Sequence, residues 1–150
     1  MRLASLLLIS AFAGCTPGAP PAGAGSAAAA TTTIDVSLTS STVSSTAYGS
    51  AGGFTPAVTT VALGSTVRFV NVDSFSHTSS SFGGATFPAS SPLGGSALTL
   101  SGGTLSGGWS SGTLSAGSAS QPLLADKTGT YLYGCFFHYG SPMRGAIVVK

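Results

Sequence analysis

The apolar positions change character along the chain. Behind Arg2, Leu3 to Phe12 form one apolar run of ten residues. That is too short to span a bilayer as a mature helix. A positive residue, a short apolar run and then the small residues Ala13 and Gly14 make residues 1–14 a predicted signal peptide. From Ile34 the pattern alternates. Ile34, Val36 and Leu38 interleave with Asp35, Ser37 and Thr39, the period of a half-buried strand. Val58–Leu63 and Thr66–Val72 are β-branched runs on either side of Gly64-Ser65, which predicts a hairpin-like connection. Tyr131, Tyr133 and Cys135 share one face of a further strand, and Ala146–Val149 is a final apolar one. Glycine turns recur at Gly52-Gly53, Gly64, Gly83-Gly84, Gly94-Gly95, Gly102-Gly103, Gly107-Gly108 and Gly129. Short strands punctuated in this way predict an all-β sandwich or barrel, with no amphipathic helix longer than a turn or two. Residues 79–120 are rich in Ser and Gly and predict strands with long loops, with Trp109 as a packing residue.

Between these regions, residues 15–33 hold Pro, Gly, Ala and Thr and no charge. They read as a linker that cannot bury enough apolar surface to order itself, so the predicted domain is 34–150. Cys15 directly after the small pair resembles the lipidation position of bacterial lipoproteins. The rival reading is cleavage after Ala11-Phe12-Ala13, which would release an unanchored protein. Both readings export the chain, to the periplasm or cell surface. The first also anchors it to a membrane through Cys15.

Charge narrows the function classes. The 150 residues carry five Lys and Arg and three Asp, for a net charge of +2. Nothing clusters, so no nucleic-acid partner is expected. Three scattered carboxylates offer no paired acid/base site, and Asp35, Asp73 and Asp126 read as strand-end or turn residues. No phosphate-binding loop motif is present. An enzyme is not expected.

The chemistry lies in the C-terminal YLYGCFFHYGSPMRGAIVVK. Cys135, His138 and Met143 are spaced C-x2-H-x4-M, at the end of a strand and on the loop after it. Gly140 and Pro142 shape that loop, so one turn can aim a thiolate, an imidazole and a thioether at one point. Copper suits that mixture: thiolate and thioether stabilise Cu(I), and imidazole serves both oxidation states. Zinc would be expected to recruit more Cys or His and has no use for Met. The only other histidine, His77, follows a strand in VRFVNVDSFSH. The sequence holds two His, two Cys and two Met. Setting aside the initiator Met1 and Cys15, every remaining member of those types falls in the candidate site. A Cys15–Cys135 disulfide is the alternative use of the thiol, although it would tie only a tail to the fold.

FTPAVTTVALGSTVRFVNVDSFSH and TGTYLYGCFFHYGSPMRGAIVV resemble the plastocyanin and pseudoazurin group of cupredoxins, over about residues 54–78 and 121–150. The resemblance implies a cupredoxin-like Greek-key β-sandwich of about eight strands. It also implies one type 1 copper per chain, held by His77, Cys135, His138 and Met143. Many members have Pro where this chain has Phe137. Many also have Asn where it has Thr78, which puts a hydrogen bond between the two ligand loops in question, though the Thr78 N–H could still reach the Cys135 sulfur. The implied function is single-electron transfer in the cell envelope. The expected partners are cytochromes or copper or haem oxidoreductases, met by a monomer through an apolar surface of Phe137, Tyr139 and Pro142 beside His138. A copper carrier or chaperone, and a metal-free adhesive sandwich, are the competing classes.

Overall fold

The structure, a computed structural model, describes residues 30–150. The predicted signal, Cys15 and most of the predicted linker lie outside them. The strands are β1 (Thr31–Val36), β2 (Ser44–Thr46), β3 (Gly49–Ala51), β4 (Phe54–Thr55), β5 (Val58–Val61) and β6 (Thr66–Asn71). After these come β7 (Ser80–Phe82), β8 (Leu100–Ser101), β9 (Ser110–Ser111), β10 (Leu123–Leu124), β11 (Gly129–Gly134) and β12 (Arg144–Val149). A single 3-10 turn, Gly95–Leu98, is the helical content of the described residues.

One sheet runs β10-β6-β1-β4 and the other β5-β12-β11-β7-β9-β8, with β2-β3 as a separate ribbon. The architecture is the predicted all-β sandwich of cupredoxin type. It has more strands than expected because several are edge pairings of two or three residues. Between the sheets the alternating positions meet as predicted. Ile34 and Val36 of β1, Val67 and Phe69 of β6, Tyr133 of β11 and Ile147 and Val149 of β12 form one buried cluster. Phe54, Phe69 and Tyr133 pack edge to face at 4.8 to 6.0 Å between centroids, an arrangement the ring quadrupoles favour. Trp109 is buried in the same cluster, as its sequence context suggests.

Two expectations are corrected. β1 begins at Thr31, not Ile34: Thr31 to Thr33 pair in parallel with Thr66 to Arg68, so the β-branched threonines at the end of the predicted linker are strand. The Gly64-Ser65 connection is not a hairpin. β5 pairs with β12 in one sheet and β6 with β1 in the other. Gly64, at φ +83°, turns the chain across the sandwich, and the buried residues of β5 and β6 face the core from opposite sides.

Candidate metal centre

Two segments build the site. Cys135 follows directly on β11, which lies between β7 and β12. The loop to β12 closes on itself: Ser141 N–H and Met143 N–H both donate to the His138 carbonyl, at 2.9 and 3.2 Å, and Cys135 N–H donates to the Met143 carbonyl at 3.0 Å. The second segment leaves β6 and carries His77. His77 and Leu114 exchange backbone hydrogen bonds of 3.1 and 2.8 Å, so the ligand loop is held by the Ser/Gly-rich region. That region therefore has a structural part in the site that its composition does not reveal.

The three nitrogen and sulfur donors converge. His77 Nδ1 lies 3.2 Å from His138 Nδ1 and 3.8 Å from Cys135 Sγ, and His138 Nδ1 lies 3.6 Å from the same sulfur. His77 and Cys135 are wholly buried, and His138 is half-buried. Met143 is also buried and joins them in a His-Cys-His-Met cluster placed to hold a metal ion. Its side chain lies against Gly53, where a Cβ would come within 2.3 Å of Met143 Cγ. A trigonal group of two imidazole nitrogens and a thiolate, with a thioether in addition, is the donor set that fits one copper ion. The His138 ring is held below the ordinary histidine pKa, first by burial and then by His77, with Asp73 pulling the other way. It is thus kept in the neutral form that a metal requires.

Two residues support the ligands, and the sequence singled out only one of them. Asp73, read there as a turn residue, is buried, and its Oδ2 lies 2.9 Å from His77 Nε2, the ring atom that does not face the site. Burial would raise its pKa, but hydrogen bonds from Thr39, Ser37, Leu38 and His77 outweigh that and hold the carboxyl well below the usual carboxylate range. Thr78 answers the question its sequence raised. Its N–H reaches Cys135 Sγ at 3.4 Å, and its hydroxyl accepts from Phe136 N–H at 2.9 Å. A threonine thereby links the two ligand loops.

The expected docking surface needs revision. Phe137 is 46% exposed and Pro142 is partly exposed, but Tyr139 is buried and cannot meet a partner. Its ring fills the space left by Gly134, where a Cβ would lie 2.8 Å from Tyr139 Cδ2. Its hydroxyl donates to the Pro88 carbonyl at 3.1 Å, and the Arg144 guanidinium lies 4.9 Å from its ring centroid. Phe75, overlooked in the sequence, is the exposed aromatic that lies beside both imidazoles. It is 38% exposed, with its ring 5.6 Å from that of His138 and 4.8 Å from that of His77.

The sandwich and the position of this cluster define a cupredoxin fold. A purple cupredoxin from Nitrosopumilus maritimus matches 79% of this chain and 99% of its own, with a TM-score of 0.50 and 20% identity. A plastocyanin from Dryopteris crassirhizoma in its oxidized form covers the same shares at TM-score 0.47 and 22% identity. A mutant amicyanin in its reduced state covers 80% of this chain and 82% of its own at 0.46 and 18%. At 20% identity and a TM-score of 0.50, the likeness to the purple cupredoxin bears on fold. No family model and no curated protein matches the sequence.

Proposed function

We propose that this protein is a type 1 blue-copper electron carrier of the cell envelope. The reading rests on one observation: His77 Nδ1, His138 Nδ1 and Cys135 Sγ lie within 3.2 to 3.8 Å of one another, with Met143 in the same buried cluster. Bound there, copper would cycle between Cu(II) and Cu(I) with no substrate attached. The chain's part is to hold the donors still. The crossed hydrogen bonds of the 135–143 loop, the His77–Leu114 pairing and the Thr78 bridge fix their positions without a ligand, so little rearrangement accompanies each change of charge.

Access favours transfer at the outer sphere. Phe75 and Phe137 flank the half-buried His138, whose ring is the path outward. Neither flank carries charge, which suits brief encounters with redox proteins over a small apolar face. Export by the N-terminal segment, with an anchor at Cys15, would place a monomeric carrier on the membrane surface among cytochromes or copper and haem oxidoreductases. The test is reconstitution of the full-length protein with one equivalent of Cu(II). A strong visible thiolate-to-copper band is expected, lost in Cys135→Ser. A colourless protein, or a spectrum that Cys135→Ser leaves unchanged, refutes the assignment.

A further inference from the structure

His77 has two ring nitrogens, and the structure uses both. Nδ1 faces the site; Nε2 meets the Asp73 carboxylate at 2.9 Å. The side chains of both residues are at most 1% exposed, and no other ion pair occurs among the described residues. An isolated buried carboxylate is costly, yet here it is fully furnished with donors. Oδ2 also accepts Leu38 N–H at 2.7 Å. Oδ1 accepts the Ser37 hydroxyl at 2.8 Å and the Thr39 hydroxyl. Asn71 supports the same turn, accepting Asp73 N–H and donating to the Phe75 and Leu114 carbonyls. The fold thus keeps a negative charge directly behind one ligand.

We infer that Asp73 is a positioning residue for the metal centre: it holds the His77 proton on Nε2, turns the bare Nδ1 inward, and biases bound copper toward Cu(II). The inference rests on the copper reading above. Thiolate and carboxylate together offset both charges of Cu(II) and leave one in excess over Cu(I). A partner that draws on the proton of a ligating imidazole also makes the ring a stronger donor, which again favours the more charged ion.

Asp73→Asn separates charge from shape. The amide oxygen can still accept from Leu38 and His77, while the amide nitrogen faces the Thr39 hydroxyl, which can rotate to accept it; Ser37 Oγ already accepts the Ser40 N–H and hydroxyl. Full-length wild type and D73N are loaded with Cu(II) and poised against redox mediators. D73N is expected to keep one copper and its thiolate band. Its Cu(I)-to-Cu(II) ratio at a fixed poise should rise about tenfold, equivalent to about 59 mV for one electron. A second variant, Ser37→Ala with Thr39→Ala, removes donors from Oδ1 and concentrates charge on His77, so its ratio should move the opposite way. An unchanged potential in D73N, or a shift of the same sign in both variants, overturns the inference and leaves Asp73 a purely structural residue. Should D73N fail to fold, the sign in the double variant decides. Nitrogen NMR of the copper-free wild type is an independent arm. His77 should carry its proton on Nε2, and a proton found on Nδ1 overturns the inference whatever the copper spectrum shows. A missing thiolate band in wild type would instead sink the copper reading and with it the bias toward Cu(II), and the His77 tautomer would then decide the positioning role by itself.

Discussion

Gly53→Ala is the most revealing single change, because it displaces the Met143 thioether without replacing any ligand. Gly53 sits at φ +73°, where a Cβ would fall 2.3 Å from Met143 Cγ, 2.9 Å from its Cβ and 3.1 Å from its Cα. Neither side can yield easily. Gly53 is tied through its carbonyl to Ser37 N–H at 3.0 Å and through its N–H to Ser41 Oγ at 2.6 Å. Met143 is tied at both backbone groups to His138 and Cys135. The left-handed conformation costs alanine about 1–2 kcal/mol, and overpacking a fixed neighbour adds about 1–3 kcal/mol. Together these come to about 3 kcal/mol. Gly64→Ala is the control: at φ +83° it has nothing within 4 Å of the added Cβ, so it bears only the backbone cost of about 1–2 kcal/mol. For a domain of this size about 4 °C accompanies each kcal/mol. Thermal unfolding of the copper-free proteins should place G53A about 12 °C below wild type and clearly below G64A. The copper-loaded G53A spectrum should also change, because Met143 must move, whereas that of G64A should not. Equal melting of the two variants, with unaltered spectra, refutes the close packing of Met143 on residue 53.

Thr78→Val should cost about 1–3 kcal/mol, because Phe136 N–H loses its buried acceptor, while Thr78→Ser retains most of the stability; denaturant unfolding of both separates hydroxyl from methyl. The single tryptophan, Trp109, is buried among Phe69 and Tyr133 with no partner for its indole N–H, so its fluorescence should lie at the blue end of the tryptophan range and move red only on global unfolding. Asp73 has a folded-state pKa below its ordinary 3.8, so it lends stability above about pH 4 that declines as acid protonates first the unfolded and then the folded form. Copper-free wild type should therefore lose more stability than D73N between about pH 5 and 2 in urea titrations, and identical acid profiles would contradict the hydrogen-bonded carboxylate.

Much of the site was legible because three of its ligands lie within nine residues and the fourth is the only remaining histidine. The interval C-x2-H-x4-M fits a single turn, and a turn's geometry is local. The strands of β1, β11 and β12 were legible for the same reason, since period-two alternation marks a buried face. What failed was long-range. Gly64-Ser65 looks alike whether the chain folds back within a sheet or crosses between sheets; the choice is made by β12 and β1, far away in sequence. Tyr139 looked like a surface aromatic on a loop, but the missing side chain at Gly134 and the cation at Arg144 draw it inward. Asp73 gave no signal as a lone acid in a turn, because its significance lies in donors from Ser37, Leu38 and Thr39, more than thirty residues earlier.

The parallel pairing of β1 with β6 also sets an orientation. Thr31 stands beside Thr66, where β6 begins, and Val36 beside Asn71, where it ends. His77 lies beyond that second end. Six residues of strand at about 3.3 Å each put roughly 20 Å between the point where residues 1–29 join the domain and the pole that carries the ligands. Anything fastened to those residues holds the sandwich by its base. The imidazole pole lies at the opposite end, so an attachment through those residues would not occupy the ground beside His138.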